Sequence, residues 1–267
     1  GMVAAALVSG NPVLFKPSER ASIMGYRLAT ILRQAGVPAG VLQYVPGGPD
    51  VGRELVTQAS VATIAFTGSK DVGLGMVQAA AVQQPGQKFV KRVIAEMGGK
   101  NAIIVDDTAD LDEAVTGVVQ SCTGYAGQKC SACSRVILLD SIHDAFIQRL
   151  ADAVMSLRIG AAEDPATQVG PVIDGRAQKR IRDYLEIGRR EGRVVVDRSM
   201  EGPGHAVGPV VIAGIEPTHR LAQEEIFGPV LAVMRALSFE QALQLANGTA
   251  YALTGGLYSR SPRHIEL

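Results

Sequence analysis

Tryptophan is absent from the 267 residues, phenylalanine and tyrosine contribute six each, and cysteine occurs three times. So few rings provide no row of stacking platforms for single-stranded nucleic acid. The 26 basic and 26 acidic side chains cancel, which removes the electrostatic basis for a nucleic-acid or anionic-membrane partner. No long apolar run is present. The most apolar opening stretch, Met2–Val8, is too short to span a bilayer and has no basic flank, so neither a membrane helix nor a signal peptide is expected. Cys122, Cys130 and Cys133 crowd into a short stretch, unlike the even, spread-out set of a disulfide scaffold; reduced thiols and a cytoplasmic location are expected. Internal repeats and low-complexity tracts are also lacking.

What is plentiful is glycine, 30 residues, within a chain that is 47% hydrophobic. A folded chain rich in tight turns follows, of a length for one large or two modest domains. Extended and helical patterns alternate. Residues 11–16 form a short apolar run. Ser18 is placed to cap a helix carrying Ile23, Met24, Leu28, Ile31, Leu32 and Ala35 at helical spacing, which Gly36 and Pro38 end. Strands are predicted over 41–45 and 61–66, helices over 50–59 and 71–82, and an extended run up to Glu96 breaks at Gly98 and Gly99. Such alternation predicts an α/β fold with βαβ crossovers and a parallel sheet. Farther on, strands are predicted over 101–105, 135–139 and 254–258, with helices over 111–124, 142–157, 177–191 and 239–247. The domain junction falls near Gly98, giving regions 1–98 and 99–267.

The usual nucleotide fingerprints are missing: no Gly-x-Gly-x-x-Gly follows a strand, and Gly98-Gly99-Lys100 lacks the hydroxyl and loop of a P-loop. Phe66-Thr67-Gly68-Ser69-Lys70-Asp71-Val72-Gly73 instead joins a strand end, a tight turn and a helix start. That geometry attracts a phosphate and is also an ordinary turn of any α/β protein. Cys130, in Gly127-Gln128-Lys129-Cys130-Ser131, reads as an exposed nucleophile, as a buried structural thiol, or with Cys133 as half of a redox or zinc site. Zinc needs more ligands than this, and His143, His205, His219 and His264 are scattered, so no metal is expected. Glu96 and Glu225, each beside an apolar segment, are either hydrogen-bonded structural carboxylates or functional ones.

Taken together, Lys16-Pro17-Ser18-Glu19, the segment from Phe66 to Gly73, Glu96-Met97-Gly98-Gly99-Lys100-Asn101, Gly127-Gln128-Lys129-Cys130 and Glu225-Ile226-Phe227-Gly228-Pro229 resemble, in order and spacing, the NAD(P)-dependent aldehyde dehydrogenase superfamily. The resemblance narrows through the run from Gly127 to Arg135 and that from Tyr251 to Ser259. It is closest to the branch that oxidises glutamate γ-semialdehyde, the 1-pyrroline-5-carboxylate dehydrogenases, including the module of bifunctional proline-utilisation proteins. The similarity extends over all 267 residues, which correspond to the middle of a family subunit; the family's Asn oxyanion donor would precede Gly1 and further segments would follow Leu267.

The resemblance implies an aldehyde dehydrogenase-like fold with a Rossmann-like NAD region over 1–98 and a catalytic region over 99–267, each incomplete at its outer end. It implies Cys130 as nucleophile and Glu96 as general base. Lys16, Ser18, Glu19, Phe66, Gly68, Ser69, Val72, Glu225 and Phe227 would hold NAD, and Glu19 near a 2′-hydroxyl would disfavour NADP. Ser131, Gly255 and Gly256 would grip the substrate carboxylate, a hydroxyl and two N–H groups binding an anion without a cation beside the reacting carbon. The implied partners are a small aldehyde and further copies of the chain. The other readings are a truncated module without catalysis, a dehydrogenase for another aldehyde, and a thiol redox protein.

Overall fold

Ten α-helices and ten strands alternate along residues 1–267, all of which the computed structural model describes. They divide into two compact units, Gly1–Met97 and Gly98–Leu267.

The first unit holds α1 (Met2–Val8), β1 (Val13–Phe15), α2 (Ser22–Gln34), β2 (Leu42–Tyr44), α3 (Pro49–Thr57), β3 (Thr63–Thr67), α4 (Lys70–Ala80) and β4 (Arg92–Glu96). Its strands are parallel, yet they do not make the single sheet that the alternation predicts. β1 pairs with β2 and β3 pairs with β4, as two separate two-stranded ribbons. α2 connects β1 to β2 and α4 connects β3 to β4, whereas β2 and β3, joined by α3, share no ladder, and α3 packs on α4. Ser18 caps a 3-10 turn, Glu19–Ala21, its Oγ accepting from the Arg20 N–H, and α2 starts three residues later than the cap predicts. Lys91 is buried with its Nζ donating to the Val56 and Gln58 carbonyls, both at 2.6 Å, which satisfies the orphan acceptors at the end of α3.

The second unit is built on one six-stranded sheet. It comprises β5 (Ala102–Val105), α5 (Leu111–Thr123), β6 (Arg135–Leu139), α6 (His143–Met155), α7 (Gly175–Glu191), β7 (Arg193–Asp197) and β8 (Val210–Ala213). Then follow α8 (Arg220–Gln223), β9 (Val230–Ala236), α9 (Phe239–Asn247), β10 (Gly255–Tyr258) and α10 (Pro262–Glu266). The strand order is β10-β5-β6-β9-β8-β7, parallel throughout except for the antiparallel β7–β8 pair. β6, central and buried at every position, shows the unbroken burial of a parallel strand covered on both faces. Helix starts follow from side-chain caps: Asp110 accepts from Asp112 and Glu113, Asp174 from Ala177, and Ser238 from Gln241. The core gathers Val105, Val118, Val136, Ile137, Phe146, Leu150, Ile181 and Met234, none more than 1% exposed.

Register places the site. Gly255 lies opposite Ala102, Ala102 opposite Arg135, and Arg135 opposite Ala232. The residues that enter these strands, Thr254, Asn101 and Ser134, therefore line one edge of the sheet.

Candidate active site at the head of the second sheet

Cys130 sits in the connection between α5 and β6. After α5 the backbone passes through the left-handed region three times running, at Tyr125 (φ 58°), Ala126 (φ 53°) and Gly127 (φ 68°). Left-handed L-residues cost about 1–2 kcal/mol each, so the turn is held by its surroundings. At Gly127 a Cβ would run into the Gly228 carbonyl, so only glycine allows this turn to pack against the Glu225 loop. The Ala132 N–H closes the turn onto the Lys129 carbonyl at 3.0 Å, and the Cys133 N–H reaches Ser121 Oγ at 3.0 Å.

Asn101, 6% exposed, pins the same turn from the neighbouring strand head. Its Nδ2 donates to the Cys130 carbonyl at 2.7 Å and to the Ala132 carbonyl at 2.9 Å. Gly99 leaves the room for this, since a Cβ there would fall 2.5 Å from the Cys130 carbonyl oxygen. The Cys130 N–H donates to no group of the chain, and Ser131 is exposed beside it.

The three thiols are free and differ in environment. Cys130 is half-buried, whereas Cys122 and Cys133 are buried. Burial pushes the Cys122 thiol well above its ordinary value and that of Cys133 up to about 12. Cys133 Sγ also donates to the Arg135 carbonyl at 3.3 Å. A Cys130–Cys133 redox pair needs two thiols that ionise, and Cys133 is unsuited to that. No group of three His, Cys, Asp or Glu side chains is arranged to hold a metal.

Glu225 packs against the Gly98–Gly99 turn, one carboxylate oxygen accepting from the Gly99 N–H at 2.9 Å. Phe227, two residues on, adopts φ 58°, a strained conformation for an aromatic residue. A cavity of about 20 Å³, the space of roughly one water, lies among Gly99, Gly127, Cys133, Glu225 and Phe227. Gly255 and Gly256 are exposed on β10, the edge strand. They border a cleft of about 650 Å³ that Lys100, Asn101 and Thr254 also line and that Cys130 does not reach.

Two residues of this edge carry no role in the sequence reading. Lys100 is 2% exposed and its Nζ has no hydrogen-bond partner. Burial, reinforced by the Arg135 charge and opposed by Glu225, brings its pKa down to about 7. Arg135, also 2% exposed, ties the Lys100 carbonyl (Nε at 3.0 Å, Nη2 at 2.7 Å) to the Leu245 and Ala246 carbonyls at 2.7 and 2.8 Å. Asn101 enters the sequence pattern only as the end of the run from Glu96. The available signal was a run of polar side chains, Lys100 and Asn101, directly before a buried strand, and an arginine opening another.

In the first unit Lys16 donates to the Pro17 and Gly47 carbonyls at 3.0 and 2.9 Å. Glu19 Oε2 lies 3.1 Å from where a Gly48 Cβ would stand, and Lys16 Cε 3.5 Å from that of Gly52. Lys16 and Glu19 thus converge on a glycine turn at the start of α3. Phe66 lies beneath the Gly68 turn, where a Cβ would meet its ring; Gly73, in the first turn of α4, is equally restricted by Met97 and Phe66. Ser69 is the N-cap of α4 and makes no side-chain cap bond, Val72 is exposed, and Glu96 is the exposed last residue of β4.

The aldehyde dehydrogenase family pattern matches residues 1–267. The 1-pyrroline-5-carboxylate dehydrogenase of Geobacillus thermodenitrificans (strain NG80-2) is 46% identical over 268 residues, covering 100% of this chain and 52% of that protein. That of Bacillus subtilis (strain 168) is 41% identical with the same coverage. Among solved structures, 1-pyrroline-5-carboxylate dehydrogenase from Thermus with bound NAD superposes with a TM-score of 0.96 at 43% identity, over 100% of this chain and 52% of that one. Proline utilization A from Bdellovibrio bacteriovorus, inactivated by N-propargylglycine, also gives 0.96, at 47% identity over 100% of this chain and 28% of that one. The chain thus spans about half the length of the curated relatives it matches. Matched from its first residue to its last, it belongs to the aldehyde dehydrogenase family.

Proposed function

We propose that this chain carries the nucleophile of an NAD-dependent dehydrogenase that oxidises L-glutamate γ-semialdehyde to L-glutamate. The observation that carries the reading is the contrast among the thiols: Cys130 alone is half-buried, on a strained turn pinned through its carbonyl, while Cys122 and Cys133 are buried and hard to ionise. Identity of 40–46% to curated relatives named for this reaction supports the substrate.

In this reading the Cys130 thiolate attacks the aldehyde carbon, forming a C–S bond and a tetrahedral oxyanion. The unused Cys130 N–H donates to that oxygen. NAD, when bound, supplies the two-electron oxidant that turns this adduct into a thioester. Glu96 then takes a proton from water as it adds to the thioester carbon; the C–S bond breaks, the carboxylate leaves and the thiol is restored. Ser131, Gly255 and Gly256 hold the far carboxylate of the substrate.

The residues of the first unit fit a nucleotide. A Cβ at Gly68 would run into the Phe66 ring, Glu19 and Lys16 lie against Gly48 and Gly52 of the turn that opens α3, and the Ser69 side chain makes no cap bond at its helix start. Lys16, Ser18 and Glu19 would take the adenosine ribose, with Glu19 favouring NAD over its 2′-phosphate form. Phe66, Gly68, Ser69 and Val72 would face the pyrophosphate, and Glu225 with Phe227 the second ribose. We further assign the protein to a homo-oligomer of the cytoplasm.

NADH formation with L-glutamate γ-semialdehyde, set against pentanal, tests the reading. Cys130→Ala is expected to abolish turnover and leave NAD binding within about twofold. Equal kcat/KM for the two aldehydes would remove the carboxylate anchor, and turnover surviving in Cys130→Ala would remove the nucleophile.

A further inference from the structure

Asn101 joins the turn that carries Cys130 to the strand head that carries Gly255 and Gly256. Both N–H donors of its carboxamide are spent on the nucleophile turn, at the Cys130 and Ala132 carbonyls, while its Oδ1 accepts from the Thr254 N–H at 3.1 Å. Thr254 immediately precedes Gly255 and Gly256. The Asn101 main-chain carbonyl grips the nucleophile segment a second time, accepting from the Ser134 and Arg135 N–H groups at 3.2 and 3.1 Å. β5 lies between β10 and β6, so the residue at its head is the one side chain placed to reach the heads of both neighbours. A carboxamide is planar and stiff, and this one is buried with all three contacts made. Displacement at either end is therefore passed to the other rather than absorbed by solvent.

We propose that Asn101 is a positioning residue that fixes the spacing between Cys130 and the amides of Gly255 and Gly256, and thereby the length of the substrate the site accepts. The inference rests on the reading of these glycines as a carboxylate anchor. An aldehyde carrying a carboxylate at its far end must reach both places at once, so a fixed span rewards one chain length, and a slack span rewards none in particular.

Two substitutions dissect the tether. Asn101→Asp keeps the shape and the acceptor for Thr254 but sets a carboxylate oxygen against the Cys130 and Ala132 carbonyls; Asn101→Leu removes both ends. The readout is protection of Cys130 from brief iodoacetamide labelling by succinate, glutarate and adipate, mapped by mass spectrometry. Cys122, buried on α5, stays unlabelled while the chain is folded and serves as the internal check. In the unaltered chain glutarate is expected to protect at concentrations at least fivefold below the other two, and in both variants that preference should fall under twofold. Should Asn101→Leu fail to fold, the isosteric Asn101→Asp carries the test. A merely structural asparagine would lower the denaturation midpoint and leave the length preference at fivefold, which overturns the proposal alone. No protection by any dicarboxylate in the unaltered chain would instead remove the anchor reading, and the proposal with it.

Discussion

At the scale of single residues, environment decides which groups react. With Cys122 raised well above its usual value and Cys133 up to about 12, substoichiometric iodoacetamide at pH 7.5 should label Cys130 first. Label appearing first at Cys133 would contradict the assignment. Lys100 offers a second, independent check through stability. Its ammonium is buried without a partner, and its pKa falls from 10.5 to about 7. The unfolded chain therefore keeps the proton up to about 10.5 while the folded chain releases it near 7. Stability contributed by this group is poorest below about pH 7 and rises with pH until about 10.5. Replacing it by Lys100→Met should stabilise the chain by several kcal/mol at pH 6 and by only on the order of 1 kcal/mol at pH 9.5, read as the shift in urea midpoint. An equal shift at both values would mean that the lysine stays charged. That neither Lys100 nor Asn101 stood out in sequence has a physical cause: the hydrogen-bond partners of Asn101 and the charges that face Lys100 come from distant segments, and contacts across strand heads leave no local periodicity.

Elements were legible where their punctuation is local. Ser238 caps α9 and Asp110 caps α5, and the helices predicted over 239–247 and 111–124 match α9 and, to one residue, α5. The central strand β6 lies over its predicted 135–139. Pairing was not legible in the same way, because a three-residue strand such as β1 carries no signal about its neighbour. Hence the first unit's division into two ribbons had to come from the structure. The parallel register also sets the proposed site apart from a common rule: ligand sites of open α/β sheets favour the carboxyl ends of strands, while the residues assigned to it around Asn101 stand at the amino ends of β5, β6 and β10. What holds that edge is Arg135, whose guanidinium joins the Lys100 carbonyl to the last carbonyls of α9. Arg135→Leu leaves those buried acceptors unpaired, and a loss of about 3–5 kcal/mol is expected. Amide exchange should accelerate first in α9 and in the Lys100–Asn101 turn; unchanged exchange in both would show that the arginine only fills space.

For the whole molecule, burial is unevenly shared between the units. Within Gly1–Met97 the buried aliphatic side chains are Ala29, Leu42, Val56 and Ala80, and α2 leaves Ile23, Met24 and Ile31 at least 60% exposed. The continuous core, more than 40 buried residues, belongs entirely to Gly98–Leu267. Hydrophobic burial is the dominant favourable term in folding, so a unit with four buried aliphatic side chains and two short ribbons is held by far less than one with a six-stranded sheet covered by helices. The two should not melt together. Urea titration followed by amide exchange is expected to show the first unit opening at lower concentration, with the protected amides of β5, β6 and β9 released only in a later transition. Limited proteolysis reads the same difference covalently. Cleavage should concentrate in the first unit and leave a resistant fragment beginning near Gly98, about 170 residues long on the unit boundary. A single transition seen alike by exchange in β3 and β6, with no such fragment, would overturn the expectation of two separate transitions.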